Sequence, residues 1–107
     1  MENRRQFFRI EYPEKMGPRF VIKGLAYQVL DLSEHGIKLK ALSSITFKVG
    51  EKVVGSLSFP SGESMLTFGN IRRLTVDTIS IQFNQPVPYR IIMSEQRRLI
   101  QLLQKRA

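Results

Sequence analysis

The chain predicts an all-β fold, an antiparallel barrel of about six strands with one C-terminal helix. Three observations carry this. Several short runs alternate apolar and polar residues with a period of two, most cleanly Gly36-Ile37-Lys38-Leu39-Lys40 and Thr78-Ile79-Ser80-Ile81-Gln82-Phe83. Turn-forming residues punctuate the chain between these runs. The last stretch abandons the period of two for helical spacing.

The elements follow in order. Arg19 to Leu32 is rich in Phe, Val, Ile and Tyr and reads as two strands broken near Lys23-Gly24. Ser33 to Gly36 separates the second of these from the alternating run at 36–40. Val49-Gly50-Glu51 is a break before Lys52 to Phe59, where Val53, Leu57 and Phe59 share one face and Val54, Ser56 and Ser58 the other. Pro60-Ser61-Gly62 reads as a hairpin tip, Met65 to Leu74 as the return strand, and Val76-Asp77-Thr78 as the turn into the last strand. Pro86 and Pro88 end the sheet region. Ser94 followed by Glu95 reads as an N-cap with an acidic first turn, in a C-terminal helix lying within about 90–106. Ile92, Leu99, Leu102 and Leu103 are expected on its buried face, with Arg97, Arg98, Gln101 and Lys105 largely opposite.

At 107 residues the chain is expected to be one domain, 1–107, divided into a flexible N-terminal arm over 1–12, a barrel over about 18–85 and the helix. No apolar run is long enough to span a bilayer, and no apolar segment of signal-peptide type follows the basic start. There is no cysteine, which removes disulfides and thiolate chemistry. A cytoplasmic location without membrane insertion is the expectation. One histidine and no cysteine leave no metal-site pattern, so no metal and no cofactor are expected. No nucleophile, base and anion hole converge in the sequence, and neither a phosphate-binding glycine loop nor a dinucleotide fingerprint is present. The chain is therefore not expected to be an enzyme. The net charge of +8 favours an anionic partner: nucleic acid, an acidic surface or a phosphate-rich small molecule.

Two motifs say where that charge acts. Arg4-Arg5-Gln6-Phe7-Phe8-Arg9 contains RxxxR with an extra arginine in front, and Asp31-Leu32-Ser33-Glu34-His35-Gly36 is DxSxxG. Arg5 and Arg9 share a face whether the segment is helical or extended, so two guanidinium groups can converge on one anion. Alone, the first motif is also what a solvated basic arm looks like, and the second what a side-chain-stabilised turn looks like. Gly36 suits a turn that needs positive φ or a close backbone approach.

In this order and at this separation, the two motifs resemble those of the PilZ domain family, bacterial receptors for cyclic di-GMP. The similarity continues through Gly69-Asn70-Ile71-Arg72-Arg73, Ile79-Ser80-Ile81-Gln82-Phe83 and the final helix, so it covers nearly the whole chain. The resemblance implies a PilZ-type six-stranded antiparallel β-barrel and a ligand, cyclic di-GMP, with two phosphates and two guanines. Arg5 and Arg9 would grip phosphates and the O6/N7 edge of guanine, and Asp31 and Ser33 would hydrogen-bond the ligand from the barrel surface. Gly36 would shape the turn. Arg4 matches the position at which family members with a further basic residue bind an intercalated ligand dimer. Arg73, or its neighbour Arg72, is a further candidate for stacking on guanine. The implied function is a receptor that changes conformation on binding and signals to a downstream protein, in motility, biofilm or exopolysaccharide control. Two alternatives stand beside it. One is a single-stranded nucleic-acid binder, less expected because most of the seven phenylalanines alternate with polar residues as core residues do. The other is an adaptor with the fold but no nucleotide.

Overall fold

The computed structural model describes residues 9–13, 15–42 and 46–106. Seven strands precede one helix: β1 (Arg9–Glu11), β2 (Arg19–Ile22), β3 (Leu25–Ser33), β4 (Gly36–Lys40), β5 (Lys52–Ser58), β6 (Ser64–Leu74), β7 (Thr78–Phe83) and α1 (Tyr89–Arg106). All pairings are antiparallel, and β2, β5, β6, β7, β4 and β3 pair in succession until β3 meets β2 again. The result is a closed six-stranded barrel, which leaves no unpaired edge among its own strands.

Each connection uses local chemistry that the sequence advertises. Lys23 and Gly24 both have positive φ, 51° and 81°, in the two-residue turn that joins Ile22 to its partner Leu25. This is the turn geometry whose twist matches a hairpin. At the β5–β6 hairpin, Phe59 N donates to Glu63 O and Gly62 N to Phe59 O, closing the loop around Pro60 and Ser61. Alternation then sorts the side chains. Phe20, Ile22, Tyr27, Val29, Leu32, Ile37, Leu39, Val53, Leu57, Ile71, Ile79, Ile81 and Phe83 point inward and are buried in one continuous core.

β1 lies outside the closed circuit. β3 is long enough to pair with β2 over 25–28 and with β1 over 31–33. Residues 9–12, expected in a flexible arm, are thus held: Arg9–Glu11 pairs with β3, and Ile10 and Tyr12 are buried. The rest of the expected arm, including Arg4 and Arg5, lies outside the described residues.

The helix differs from its sequence reading at both the start and the buried face. It begins at Tyr89, directly after Pro88, whose carbonyl accepts from the Ile91 and Ile92 amides. Ser94 is an exposed residue inside the helix rather than its cap, and no acidic residue stands in the first turn. Glu95 is buried instead, for a reason that is tertiary and not local. Its Oε1 accepts from the Tyr12 hydroxyl at 2.8 Å, and Arg98 donates to both its oxygens at 2.8 and 2.9 Å. The same guanidinium donates to the Met16 carbonyl at 3.2 Å. These contacts rotate the buried face to Ile91, Ile92, Glu95 and Leu99, leaving Leu102 half-buried and Leu103 exposed. Ile91, Ile92 and Leu99 join the barrel core, so the helix packs over one end of the barrel.

Candidate functional site

β1 does the decisive positioning. Its antiparallel register sets Arg9 opposite Ser33, Ile10 opposite Leu32 and Glu11 opposite Asp31. The end of the arginine motif therefore lies directly across from the DxSxxG motif. On its other edge β3 pairs with β4, with Lys38 opposite Asp31, and β4 in turn pairs with β7, placing Ser80 opposite Lys38 and Gln82 opposite Gly36.

Two β-bulges flank this face. One lies in β3 between Val29 and Asp31, and the other in β6 between Ile71 and Arg73. A bulge breaks the strict alternation and turns an extra residue outward. In β6 the consequence is direct, because Arg72 and Arg73 are both exposed. Arg73 pairs across to Ser80, and the Arg72 guanidinium donates to the Gln82 side-chain oxygen.

The resulting groove has a volume of about 480 Å³ and is lined by Arg9, Asp31, Ser33, His35, Gly36, Lys38, Arg72, Arg73, Ser80 and Gln82, with Ile37 and Ile81 at its floor. Four basic side chains, Arg9, Lys38, Arg72 and Arg73, line the groove with one carboxylate, Asp31. The groove is thus electropositive overall, with a single acceptor-only group set within it.

Asp31 is the most enclosed of the charged groups, its side chain 13% exposed against 60% for Arg9 and 40% for Lys38. Its Oδ2 lies 3.9 Å from Arg9 Nη1 and 3.8 Å from Lys38 Nζ. Both distances are too long for hydrogen bonds, so the carboxylate is steered by two cations without being saturated by them. Burial raises its pKa above the ordinary carboxylate value, Arg9 and Lys38 oppose the rise, and nearby Glu11 adds to it.

The turn that carries Ser33 and Gly36 is fixed from below. His35 O accepts from Phe83 N at 2.8 Å and Glu34 O accepts from Val87 N at 2.7 Å. Ser33 Oγ donates to Gly36 O at 3.4 Å. Gly36 is required for closeness rather than for φ. A Cβ there would sit 2.9 Å from the Ile81 carbonyl oxygen, inside contact distance of a backbone atom on β7.

Of the residues the sequence singles out, Arg9, Asp31, Ser33, Gly36 and Arg73 line this one groove, and Arg72 joins them. Arg4 and Arg5 lie outside the described residues. Lys38, Ser80 and Gln82 were not singled out. Their outward positions on alternating strands were legible, but their place beside Asp31 depends on the β3–β4–β7 register. No group of His, Cys, Asp and Glu side chains able to hold a metal ion occurs among the described residues, and no helix there is long and apolar enough to cross a membrane.

A closed six-stranded barrel with one helix over its end, and the two motifs joined across β1 and β3, defines the class. The chain belongs to the PilZ domain family, whose sequence profile matches residues 3–104. Its fold is similar to the inhibitor of motility from Bacillus subtilis (MotI/DgrA), with a TM-score of 0.67 at 16% identity, covering 98% of this chain and 51% of that one. The chain therefore spans about half the length of the Bacillus protein. It is also similar to an uncharacterized Legionella protein (Lpg0364), with a TM-score of 0.58 at 15% identity, covering 92% of this chain and 91% of that one. At these identities the likeness is one of fold. No curated protein matches the chain in sequence.

Proposed function

We propose that the chain is a cyclic di-GMP receptor module that binds the dinucleotide in the groove between β1, the β3–β4 turn and the β6 bulge. The observation that carries this reading is the pairing of β1 with β3, which brings Arg9 across from Ser33 and beside Asp31. Arginine presents a planar fork of donors suited to phosphate and to the O6/N7 edge of guanine. Asp31, unsaturated and acceptor-only, suits the N1–H and N2–H₂ donors of guanine. Lys38, Arg72 and Arg73 add cations for a ligand with two phosphates. Arg4 and Arg5 are assigned to the ligand by the RxxxR motif to which Arg9 belongs. Arg4 supports a stoichiometry of two ligands per domain.

The output follows from the same placement. Ligand held by both motifs fixes the segment before β1 against the barrel and changes the surface offered to a downstream protein. The shared fold with an inhibitor of motility supports motility control as that output, with biofilm and exopolysaccharide control as the other family-type outcomes. No catalytic step is assigned to the groove.

A single-stranded nucleic-acid platform would use the same positive charge but needs exposed aromatic rings. Phe20, Phe47, Phe59 and Phe83 are buried, and the exposed aromatic rings among the described residues, Phe68 and Tyr89, do not line the groove. This favours the dinucleotide reading. Calorimetric titration with cyclic di-GMP, with cyclic di-AMP and GTP as controls, tests it. Saturable binding selective for cyclic di-GMP is expected. Equal binding of all three, or preference for an oligonucleotide, would overturn the reading.

A further inference from the structure

The outer wall of the barrel is not uniformly polar. On β4 and β7 the outward positions are Lys38, Lys40, Thr78, Ser80 and Gln82. On β5 and β6 they include Val54, Leu66 and Phe68, which are 49%, 61% and 51% exposed, while their strand neighbours Val53, Gly55, Thr67 and Gly69 are buried. Register makes these three one patch. Val54 lies opposite Phe68, and Leu66 lies opposite Ser56, whose other neighbour is Val21 of β2. A concavity adjoins the patch. β7 pairs with β6 only from Gly69, and Asn84 N donates to Phe68 O. Beyond that point the chain leaves β6, since Val87 N donates to Glu34 O. The fork holds a pocket of about 290 Å³, with Leu66 and Phe68 on one side and Asn84, Gln85 and Pro86 on the other.

We propose that this face docks a partner protein through a segment in which apolar side chains stand between carboxylates. Charge complementarity selects that occupant. β2, β5 and β6 carry Arg19, Lys52, Arg72 and Arg73 and no acidic residue. The two acids that adjoin β5 and β6 in sequence are engaged: Glu51 accepts from Lys48 N at 2.9 Å, and Glu63 lies 3.5 Å from the Arg90 guanidinium. Exposed Lys52 and Arg19 bracket the patch on its own face. Lys52 is two residues from Val54 along β5, and Arg19 stands opposite Ser58, so the two cations are about 20 Å apart with the apolar residues between them. An occupant that covers the patch brings its ends against these cations, where carboxylates are attracted and bases repelled. The pocket receives its apolar anchor, as the central pockets of protein interfaces do. An anionic bilayer is a poorer match, because lipid surfaces are held by clusters of about 4–8 cations, more than Lys52 and Arg19 supply. A nucleic-acid strand is a poorer match too, since it stacks on successive rings and Phe68 is the ring this patch offers among the described residues. No residue of the patch or its pocket lines the dinucleotide groove, so the inference stands independently of that ligand.

The test is a titration of isotope-labelled protein, followed by amide NMR shifts, with three synthetic peptides. The first has two leucines between pairs of glutamates, the second lysine in place of glutamate, and the third alanine in place of leucine. The first should shift the Val54, Leu66, Phe68 and Asn84 amides saturably, with a Kd on the order of 0.1–1 mM for so small a contact. The second and third should bind at least about ten-fold more weakly. Phe68→Ser and Leu66→Ser, both at exposed sites, should each weaken the first peptide about ten-fold while keeping the parent's circular dichroism spectrum. Arg19→Glu combined with Lys52→Glu should turn the preference toward the lysine peptide. Shifts confined to the groove around Arg9 and Asp31, no saturable shift up to about 5 mM peptide, or binding unchanged in both serine variants would overturn the proposal. So would phosphatidylglycerol vesicles or oligothymidine that shift the same amides at lower concentration than the first peptide.

Discussion

Asp31 is the residue on which chemistry and electrostatics meet. Its carboxyl is buried enough to be raised above the ordinary carboxylate pKa, and two cations near 4 Å only partly oppose this. For an acid whose folded pKa is raised, the folded state holds its proton longer than the unfolded state. Its contribution to stability is therefore largest below the ordinary value of 3.8 and declines as pH rises through the folded pKa. The sign for ligand is opposite, since guanine's N1–H and N2–H₂ need an ionised acceptor. Affinity for cyclic di-GMP is accordingly expected to fall on acidification at a pH above 3.8, and Asp31→Asn should flatten that profile; calorimetry at a series of pH values checks both. Gly36 makes a second prediction. Gly36→Ala places a methyl 2.9 Å from the Ile81 carbonyl oxygen, so the β4–β7 ladder must shift. A loss of about 1–3 kcal/mol in denaturant unfolding, as for overpacking, is expected together with weaker ligand binding. At this scale the two motifs were legible because their spacing survives in sequence. Lys38, Ser80 and Gln82 were not, because strand register brings them to Asp31. The exposure of both Arg72 and Arg73 comes from a bulge that an unbroken alternation does not announce.

Among elements, β1 and α1 are the informative pair. Both differ from their sequence reading, and one buried cluster ties them together. Tyr12, just beyond β1, donates to Glu95 in α1, and Arg98 completes the cluster with the Met16 carbonyl. These partners stand more than eighty residues apart, so the sequence offered only the local meaning of Glu95, an acidic first turn. The strands were legible because alternation is local, as were the turns at Lys23-Gly24 and Pro60-Gly62, where residue type and backbone conformation agree. The cluster also sets a mechanical expectation: the strand that presents Arg9 is anchored at its far end to the helix. Tyr12→Phe removes one donor from a buried carboxylate that Arg98 still satisfies, a cost of about 1–3 kcal/mol. Arg98→Ala leaves Glu95 buried without its cation and should cost more, about 3–5 kcal/mol. Urea unfolding ranks the two. If β1 is positioned through this cluster, Tyr12→Phe also weakens cyclic di-GMP binding although Tyr12 does not line the groove. Tyr12 itself has its pKa raised, by burial first and then by the Glu95 charge. Its share of stability is present below the unfolded value of 10.0 and is lost as pH rises above it, a slope that Tyr12→Phe should remove.

At the scale of the molecule, a closed barrel supplies a continuous wall, and the proposed site lies where one extra strand, β1, is laid on it. A net charge of +8 says only that an anion is welcome; on the proposed reading, the groove at β1 is the side of the molecule that receives it. In the proposed site, arginine and carboxylate divide the recognition of one ligand. The most direct test is a calorimetric comparison of the parent, Arg9→Ala and Asp31→Ala against cyclic di-GMP and cyclic di-AMP. Arg9→Ala removes a charge-assisted contact of about 1.5–3 kcal/mol, so affinity for cyclic di-GMP should fall about 10- to 100-fold. Asp31→Ala should cost a comparable factor and in addition narrow the preference for guanine over adenine, which lacks the N1–H and N2–H₂ donor pair. Both variants should retain the parent's fold by circular dichroism. Undiminished binding of cyclic di-GMP by both folded variants would contradict the account and move the site away from this groove.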